Sequence, residues 1–220
     1  MGYVPTEKIL NAYADVLINF ALNSGKGIKK GELVFLQVPE CAKPILPSLQ
    51  RSVLKAGGYY ITQYMPDDLA RQFYEIASEE QLAFFPEKYI KGRVDQMDHI
   101  LTILAETNKK ELEGIDPKKI MARSGAFKQY QEWKSDKENK GKLTWTLALY
   151  GTEAMAKEAN LSLEEYWEQI ILACYLNENN PIEKWNQTFA EIERVRAKLI
   201  ELEIEKLHVV SQSHNTDLIV

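Results

Sequence analysis

The chain has 220 residues, of which 45% are apolar and 27% charged, so it is long enough for one large or two small globular domains with a hydrophobic core. Its net charge of -5 argues against nucleic acid or an anionic membrane as a partner, because both require a basic surface. No apolar stretch approaches the roughly 18 residues of a membrane span, and the N-terminus lacks the apolar region of a signal peptide. The composition therefore favours a soluble, cytoplasmic protein, in which Cys41 and Cys174 are small buried thiols rather than a disulfide.

Helical and strand patterns alternate along the first two thirds of the chain. Thr6 is a suitable N-cap for a first helix with one apolar face. Helices are also predicted over residues 42–56 and from Pro117 to Trp133, the latter followed by a polar loop over 135–142. Apolar runs at 32–38, 59–64, 99–105 and 143–150 predict strands. Repeated strand–helix–strand units with apolar strands indicate an α/β fold, in which helices flank a mainly parallel sheet.

The last third of the chain is predicted to be helical. Ser162 and Glu165 form a capping box for one helix, and a longer helix begins at about Asn180. Its apolar stripe has a spacing of three and four residues, which fits either packing on the sheet domain or a coiled coil. We expect this stripe to be buried; it consists of Ile182, Trp185, Phe189, Ile192, Val195, Leu199 and Leu202. Two short strand candidates, 207–210 and 216–220, follow the helix.

The chain ends inside an apolar run, Thr216 to Val220, that is typical of a strand. Natural C-termini are usually polar and frayed, so this ending suggests a piece of a longer protein. We expect residues 1–220 to form a single α/β domain at the N-terminal side of that protein, with 205–220 leading toward a further domain.

The sequence contains no recognisable catalytic or metal-binding motif. His99, His208 and His214 form no metal-binding spacing such as HExxH, and His99 is expected to be structural or solvated. No nucleophile with a recognisable partner occurs. Gly25 and Gly27 follow a helix and precede a strand, whereas a phosphate-binding loop follows a strand and opens a helix. The sequence therefore predicts no catalytic residue and no metal ligand in this chain.

The most promising surface is the edge of the sheet where the parallel strands end, because ligands of open α/β sheets bind there. The strand ends carry Glu40, Asp67, the segment Glu106-Thr107-Asn108 and the segment Tyr150-Gly151-Thr152. They supply polar side chains but no set of acid, base and nucleophile that specifies a reaction. We expect either a ligand-facing rim or a set of solvated loops and helix caps.

Several segments, in order, resemble the N-terminal half of the thermophilic metalloaminopeptidases, the family of aminopeptidase T, aminopeptidase S and PepS. The similar segments are Ile9 to Ala14, Leu54 to Gly58, Ala105 to Asn108 with Gly114 to Pro117, the strand of Trp145 with Tyr150 to Thr152, Asn180 to Trp185, Leu207-His208, and Thr216 to Leu218. Together they span essentially the whole chain. The chain departs from the family at Lys109 and Gly151, where the family tends to have proline.

The resemblance implies an enzyme that releases N-terminal amino acids from peptides with a pair of divalent metals, zinc, cobalt or similar. In the family the metal ligands lie in the second half, so this chain alone is expected to hold no cofactor and to be inactive. Its domain is expected to wall the substrate chamber and to contribute to dimer contacts, which makes peptides and a second copy the expected partners. The rim residues expected to face the substrate are Glu106, Asn108, Tyr150 and Thr152.

Two other classes of function stay open on the residues alone. The chain fits a stand-alone binding module that holds a small anionic or peptide ligand at the strand ends. It also fits a protein-interaction domain that acts through the helix with the apolar stripe. Both lack catalysis, and the coding sequence beyond Val220 distinguishes them from an aminopeptidase domain.

Overall fold

Parallel strands build the central sheet, as the apolar runs predicted. In the computed structural model, which describes residues 3–220, these strands are β1 (Leu33–Pro39), β2 (Tyr59–Met65), β3 (His99–Leu104) and β4 (Thr144–Leu149). Their order across the sheet is β2-β1-β3-β4, and each neighbouring pair is parallel. The α/β prediction is thereby confirmed, with β1 and β3 in the centre and β2 and β4 at the edges.

Helices connect the strands and follow the last of them. A π-helical turn over Leu17–Ala21 extends the first helix, and a 3-10 turn over Glu40–Ile45 precedes the second. The helices are α1 (Glu7–Val16), α2 (Leu46–Lys55), α3 (Ala70–Ile76), α4 (Glu79–Ala83), α5 (Glu87–Gln96), α6 (Pro117–Ala126), α7 (Lys128–Asn139), α8 (Glu153–Glu158), α9 (Leu163–Ala173) and α10 (Pro181–Glu201). The two strand candidates near the C-terminus form an antiparallel hairpin, β5 (His208–Ser211) with β6 (Thr216–Ile219).

Both faces of the sheet carry a helical layer. On one face lie α1 and α2, where Gln50 of α2 donates a hydrogen bond to Thr62 of β2. On the other face, Phe35 of β1 and Ile100 of β3 pack in a cluster with residues of α5 and α7, namely Ile90, Val94 and Tyr130. The centre of the sheet is thus enclosed, and its exposed parts are the two edges and the strand ends.

The predicted helix from Pro117 to Trp133 is wrong in its bounds. The structure divides it into α6 and α7 at Phe127, and α7 continues to Asn139 through most of the predicted polar loop. Phe127 fixes the break because its ring packs against Phe85 at a centroid distance of 5.2 Å. Lys137 holds the polar end of α7 by donating hydrogen bonds to backbone carbonyls at the end of α5. This tertiary contact outweighs the loop-like composition.

The prediction of a buried stripe on the long C-terminal helix is also wrong. The chain divides into two compact units, one ending at Ile182 and one beginning at Glu183. Within the second unit, Phe189 is 42% exposed and Leu199 is 53% exposed, and no residue of α10 is buried. One helix and one short hairpin offer too little apolar surface to enclose the stripe. The assignment of residues 1–220 to one N-terminal domain stays a prediction.

Candidate functional site

The carboxyl ends of β1 to β4 lie along one end of the sheet, and the predicted rim residues follow these strand ends. Glu106 and Asn108 follow β3, whereas Tyr150 and Thr152 follow β4. The structure brings the two segments together, because the Thr152 hydroxyl donates a hydrogen bond to the Glu106 carbonyl. It divides the four side chains by exposure: Glu106 and Asn108 are exposed, and the other two are buried.

Tyr150 and Thr152 stabilise the segment that follows β4. The Tyr150 ring packs edge-to-face on Trp167 at a centroid distance of 5.0 Å, and burial raises the pKa of its hydroxyl. Thr152 is the N-cap of α8 and accepts a hydrogen bond from the Met155 amide at 3.2 Å. Their polar atoms therefore serve packing and capping at this end of β4.

Gly151 explains one departure from the family pattern. A Cβ added at this glycine would lie 2.9 Å from both Trp167 Nε1 and Tyr166 Cδ1, closer than real Cβ contacts. The Trp167 indole also donates a hydrogen bond to the Gly151 carbonyl at 3.2 Å. The close approach of α9 to the end of β4 thus requires a residue without a side chain.

The exposed half of the rim carries charge and amide groups. Asn108 closes its own turn, because its side-chain oxygen accepts a hydrogen bond from the Lys110 amide at 3.0 Å. Lys109, at the second departure from the family pattern, forms an ion pair with Glu158 of α8. The Glu106 carboxylate forms no ion pair in the described part of the chain, residues 3–220. The Glu106 carboxylate and the side-chain NH2 group of Asn108 are therefore the rim groups available to a ligand.

A second polar cluster at the ends of β1 and β2 was not among the predicted site residues. Asp67 accepts a hydrogen bond from the Cys41 amide at 2.9 Å, and the Asp67 amide donates to Glu40 at 3.3 Å. Burial and the Asp67 carboxylate raise the pKa of the Cys41 thiol to about 12. A thiol that stays protonated at neutral pH is a poor nucleophile. The signal in the sequence was the position of Glu40 and Asp67 directly after two strands.

His99 lies away from this rim. His99 opens β3 at the opposite end of the sheet, where its Nε2 lies 2.8 Å from Glu32 Oε2 and its Nδ1 lies 2.8 Å from Thr144 Oγ1. His99 is 4% exposed, and its two contacts join the first residues of β3 and β4 to Glu32, which directly precedes β1. In the hairpin, His208 pairs with Asp217 at 2.6 Å, and His214 Nδ1 lies 2.8 Å from the Ser213 hydroxyl.

The described residues 3–220 do not fit a divalent metal. Within residues 3–220, no group of three or more His, Cys, Asp or Glu side chains could hold a metal ion together. The Glu40 and Asp67 carboxylates at the strand ends accept hydrogen bonds from backbone amides. A two-metal hydrolytic site requires several converging carboxylate and imidazole ligands.

The glycines after the first helix serve a turn. A Cβ on Gly27 would lie 2.5 Å from the Asn19 carbonyl oxygen in the π-helical turn, so only glycine fits this approach. The Asn23 side chain closes the loop by donating to the Gly27 carbonyl at 3.2 Å.

None of the helices described in residues 3–220 is long and apolar enough to cross a membrane.

Comparisons with known proteins place this fold in a family. The family model described as thermophilic metalloprotease (M29) matches residues 6–220. Aminopeptidase AmpS from Bacillus subtilis (strain 168) is 25% identical over 227 residues, covering 96% of this chain and 52% of that protein. The structure of wild-type AmpT from Thermus thermophilus superposes with a TM-score of 0.77 at 22% identity, covering 97% of this chain and 53% of that chain. The chain therefore spans about half the length of these relatives. Because the family model matches nearly all of it, the chain belongs to the thermophilic metalloprotease family (M29).

Proposed function

We propose that the chain is the N-terminal domain of a metal-dependent aminopeptidase that releases N-terminal amino acids from peptides. The observation that carries the proposal is the family match over residues 6–220 together with relatives about twice as long. The absence of a metal-ligand group within residues 3–220 is consistent with a metal site in the remaining half. On this proposal the present chain alone is catalytically incomplete.

The rim supplies the contribution of this domain to catalysis. Glu106 and Asn108 are exposed beside the end of β3, where polar groups can orient a peptide without packing the core. Tyr150 packs on Trp167, and Thr152 caps the first turn of α8. The Thr152 hydroxyl also donates to the Glu106 carbonyl and so fixes the backbone of the exposed segment. The domain then walls one side of a substrate chamber and excludes water from it.

The complete enzyme requires divalent metals, zinc, cobalt or similar, which would activate the attacking water and polarise the scissile carbonyl. Within the described residues 3–220, no group of side chains fits as their ligands. The residues of the rim act on the peptide instead, and the negative charge of Glu106 favours the protonated α-amino group that every aminopeptidase substrate carries.

The expected partners follow from the same proposal. Peptides bind to the complete protein, which we expect to be a cytoplasmic homodimer. The net charge of -5 disfavours nucleic acid and anionic membranes as partners.

The test is to extend the coding sequence to the length of the relatives and to assay the purified protein. We expect release of amino acids from aminoacyl p-nitroanilides and short peptides in the presence of zinc, cobalt or manganese, and no release after chelation. N-acetylated peptides are the matched control and should not be cleaved. An extended protein that shows no metal-dependent cleavage of any free-amino substrate, or a gene that stops at Val220, would favour a stand-alone binding or interaction module.

A further inference from the structure

The outer edge of β4 carries backbone groups that are available for pairing. The Thr144 amide donates to Asp98 and the Tyr150 amide donates to Leu104, which directs the even-numbered residues of β4 toward β3. The amides and carbonyls of Trp145 and Leu147 therefore point away from the sheet. In the described residues 3–220, they hydrogen-bond to no other segment. At Leu149 the edge is closed, because its carbonyl accepts a hydrogen bond from the Tyr13 hydroxyl at 3.1 Å.

An uncharged groove runs along this edge. It has a volume of about 370 Å³ and is lined by Leu147 and Leu149 of β4, Tyr13 of α1, and Tyr166, Gln169 and Ile170 of α9. Trp145 is 50% exposed and Leu147 is 52% exposed. The strand Thr144–Leu149 contains no charged residue and no proline, the devices with which soluble proteins usually protect a sheet edge. Such an edge is suited to strand addition by an extended, apolar segment.

Charges of both signs flank β4, but their balance differs between its two ends. Lys140 and Lys142 precede the strand, with Glu138 hydrogen-bonded to the Trp145 indole at 2.8 Å. At the carboxyl end lie Glu106 and Glu153, which form no ion pair within residues 3–220, and Lys109, whose charge is balanced by its ion pair with Glu158. A free peptide has opposite charges at its ends. Its ammonium group is attracted to the carboxyl end of β4, and its carboxylate to the lysines.

We propose that the outer edge of β4 binds the body of the peptide substrate as an added antiparallel strand, with the peptide N-terminus at the rim. This inference rests on the proposed function, since it assigns a binding site to the substrate of that enzyme. The antiparallel direction follows from the charges, because β4 runs toward the rim and the ammonium group must lie at the rim. The site would let the domain hold a longer peptide while its N-terminal residue enters the chamber.

The pairing has a defined length. One peptide residue exchanges both backbone hydrogen bonds with Leu147, and the residue two positions later does the same with Trp145. Tyr13 occupies the Leu149 carbonyl, so the peptide leaves the strand there, close to Tyr150 at the rim. The six residues of β4 span roughly 20 Å, so peptides of about six residues fill the edge and dipeptides do not.

The first experiment uses the wild-type chain and chemically altered peptides. The probe is the hexapeptide Leu-Thr-Val-Thr-Val-Thr with free termini, and binding is measured by calorimetry. N-methylation of two alternate amides, on the set that faces β4, should weaken binding by roughly tenfold or more, because each backbone hydrogen bond contributes a factor of about 2 to 10. N-methylation of the other alternate set should change binding by less than about twofold. Acetylation of the peptide N-terminus should weaken binding about twofold or more at low salt and less at high salt.

The second experiment alters the edge. Leu147→Pro removes one outward amide without touching a hydrogen bond to β3, and it should weaken binding of the unmodified probe by about 2- to 10-fold. Tyr60→Pro is the matched control on the opposite edge strand. The Tyr59 amide donates to Glu32, so the Tyr60 amide also points outward, and binding should not change. If Leu147→Pro does not fold, the two N-methylated peptides on the wild-type chain decide the question.

Three results would overturn the proposal. The first is no binding of the unmodified probe to the wild-type chain, and the second is equal weakening by the two methylated sets. The third is a dimer in sedimentation that Leu147→Pro dissociates while peptide binding is unchanged, which would assign the edge to a second copy. Binding to the present chain does not require hydrolysis. A longer protein without aminopeptidase activity would therefore contradict the proposed function and leave the binding result interpretable.

Discussion

Glu32 and His99 join the starts of β1 and β3 through a charge-assisted contact. Burial alone would raise the pKa of Glu32, but hydrogen bonds from His99 and the Lys29 amide outweigh it and lower the pKa below its ordinary value of 4.5. A carboxylate with a lowered pKa stabilises the fold above its unfolded pKa, and this contribution is lost as the pH falls through the folded pKa.

We therefore expect Glu32→Gln to lower the free energy of unfolding by about 1–2 kcal/mol at neutral pH. The difference from wild type should shrink as the pH falls from about 4.5 through the lower folded pKa, because Glu32 is then protonated first in the unfolded state and finally in the folded state as well. Urea unfolding between a pH of about 3 and about 7 measures it. A difference that is constant over this range would mean that the charge of Glu32 contributes nothing.

Gly151 is the residue at which close packing is most demanding. Trp167, which a new methyl group would meet at 2.9 Å, is only 1% exposed and has no room to move. We expect Gly151→Ala to cost about 1–3 kcal/mol of stability through overpacking. Gly92→Ala is the control, because nothing lies within 4 Å of the added atom in α5, and it should be neutral or stabilising by up to about 1 kcal/mol. Equal effects of both changes in thermal unfolding would refute the packing argument.

Among the elements, α7 depends most on one side chain. The Lys137 ammonium donates to the carbonyls of Val94 at 2.8 Å, Asp95 at 3.0 Å and Met97 at 2.7 Å, and so satisfies the C-terminal end of α5. Lys137→Met keeps the aliphatic stem and removes the donor, which should cost about 1–3 kcal/mol. Lys128→Met in the same helix removes an exposed ion pair of 3.7 Å and should cost less than about 0.5 kcal/mol. A Lys137 variant as stable as the Lys128 variant would show that the hydrogen bonds of Lys137 do not stabilise α7.

The strands could be predicted from the sequence because their signal is local. The run His99 to Leu104 is apolar and β-branched, and the predicted bounds differ from the structure by one residue. The extent of α7 could not be predicted, because Lys137 gains its partners from a helix more than thirty residues earlier in the chain. The stripe on α10 has a helical period whether or not another element covers it, so its exposure was also beyond the sequence.

The candidate site was predictable only in its position. Parallel strands bring Glu106 and Thr152 to one edge, and the sequence order is enough to infer that. The sequence did not reveal which side chains face solvent, because the burial of Tyr150 depends on Trp167 from α9. It also gave no means to predict that Asp67 caps the turn at Cys41, since the two residues belong to different strand ends.

At the scale of the whole molecule, the rim has an exposed half and a buried half with different expected roles. In the extended enzyme, Glu106→Ala and Asn108→Ala should alter KM or the preference among peptides, because both side chains are exposed. Thr152→Ala should instead cost about 1–2 kcal/mol of stability through the lost cap of α8. A peptide panel and urea unfolding of the three variants separate the two effects. Unchanged kinetics for both Glu106→Ala and Asn108→Ala would remove the rim from the substrate chamber.

The central claim is that this domain carries no metal site and needs the remaining half of the enzyme for catalysis. The most direct measurement is a calorimetric titration of the purified chain with zinc, cobalt and manganese. The same samples are assayed for release of amino acids from aminoacyl p-nitroanilides. We expect no stoichiometric binding and no turnover, because no group of ligands converges within residues 3–220. Stoichiometric metal binding, or metal-stimulated turnover that copurifies with the chain through successive columns, would contradict the account.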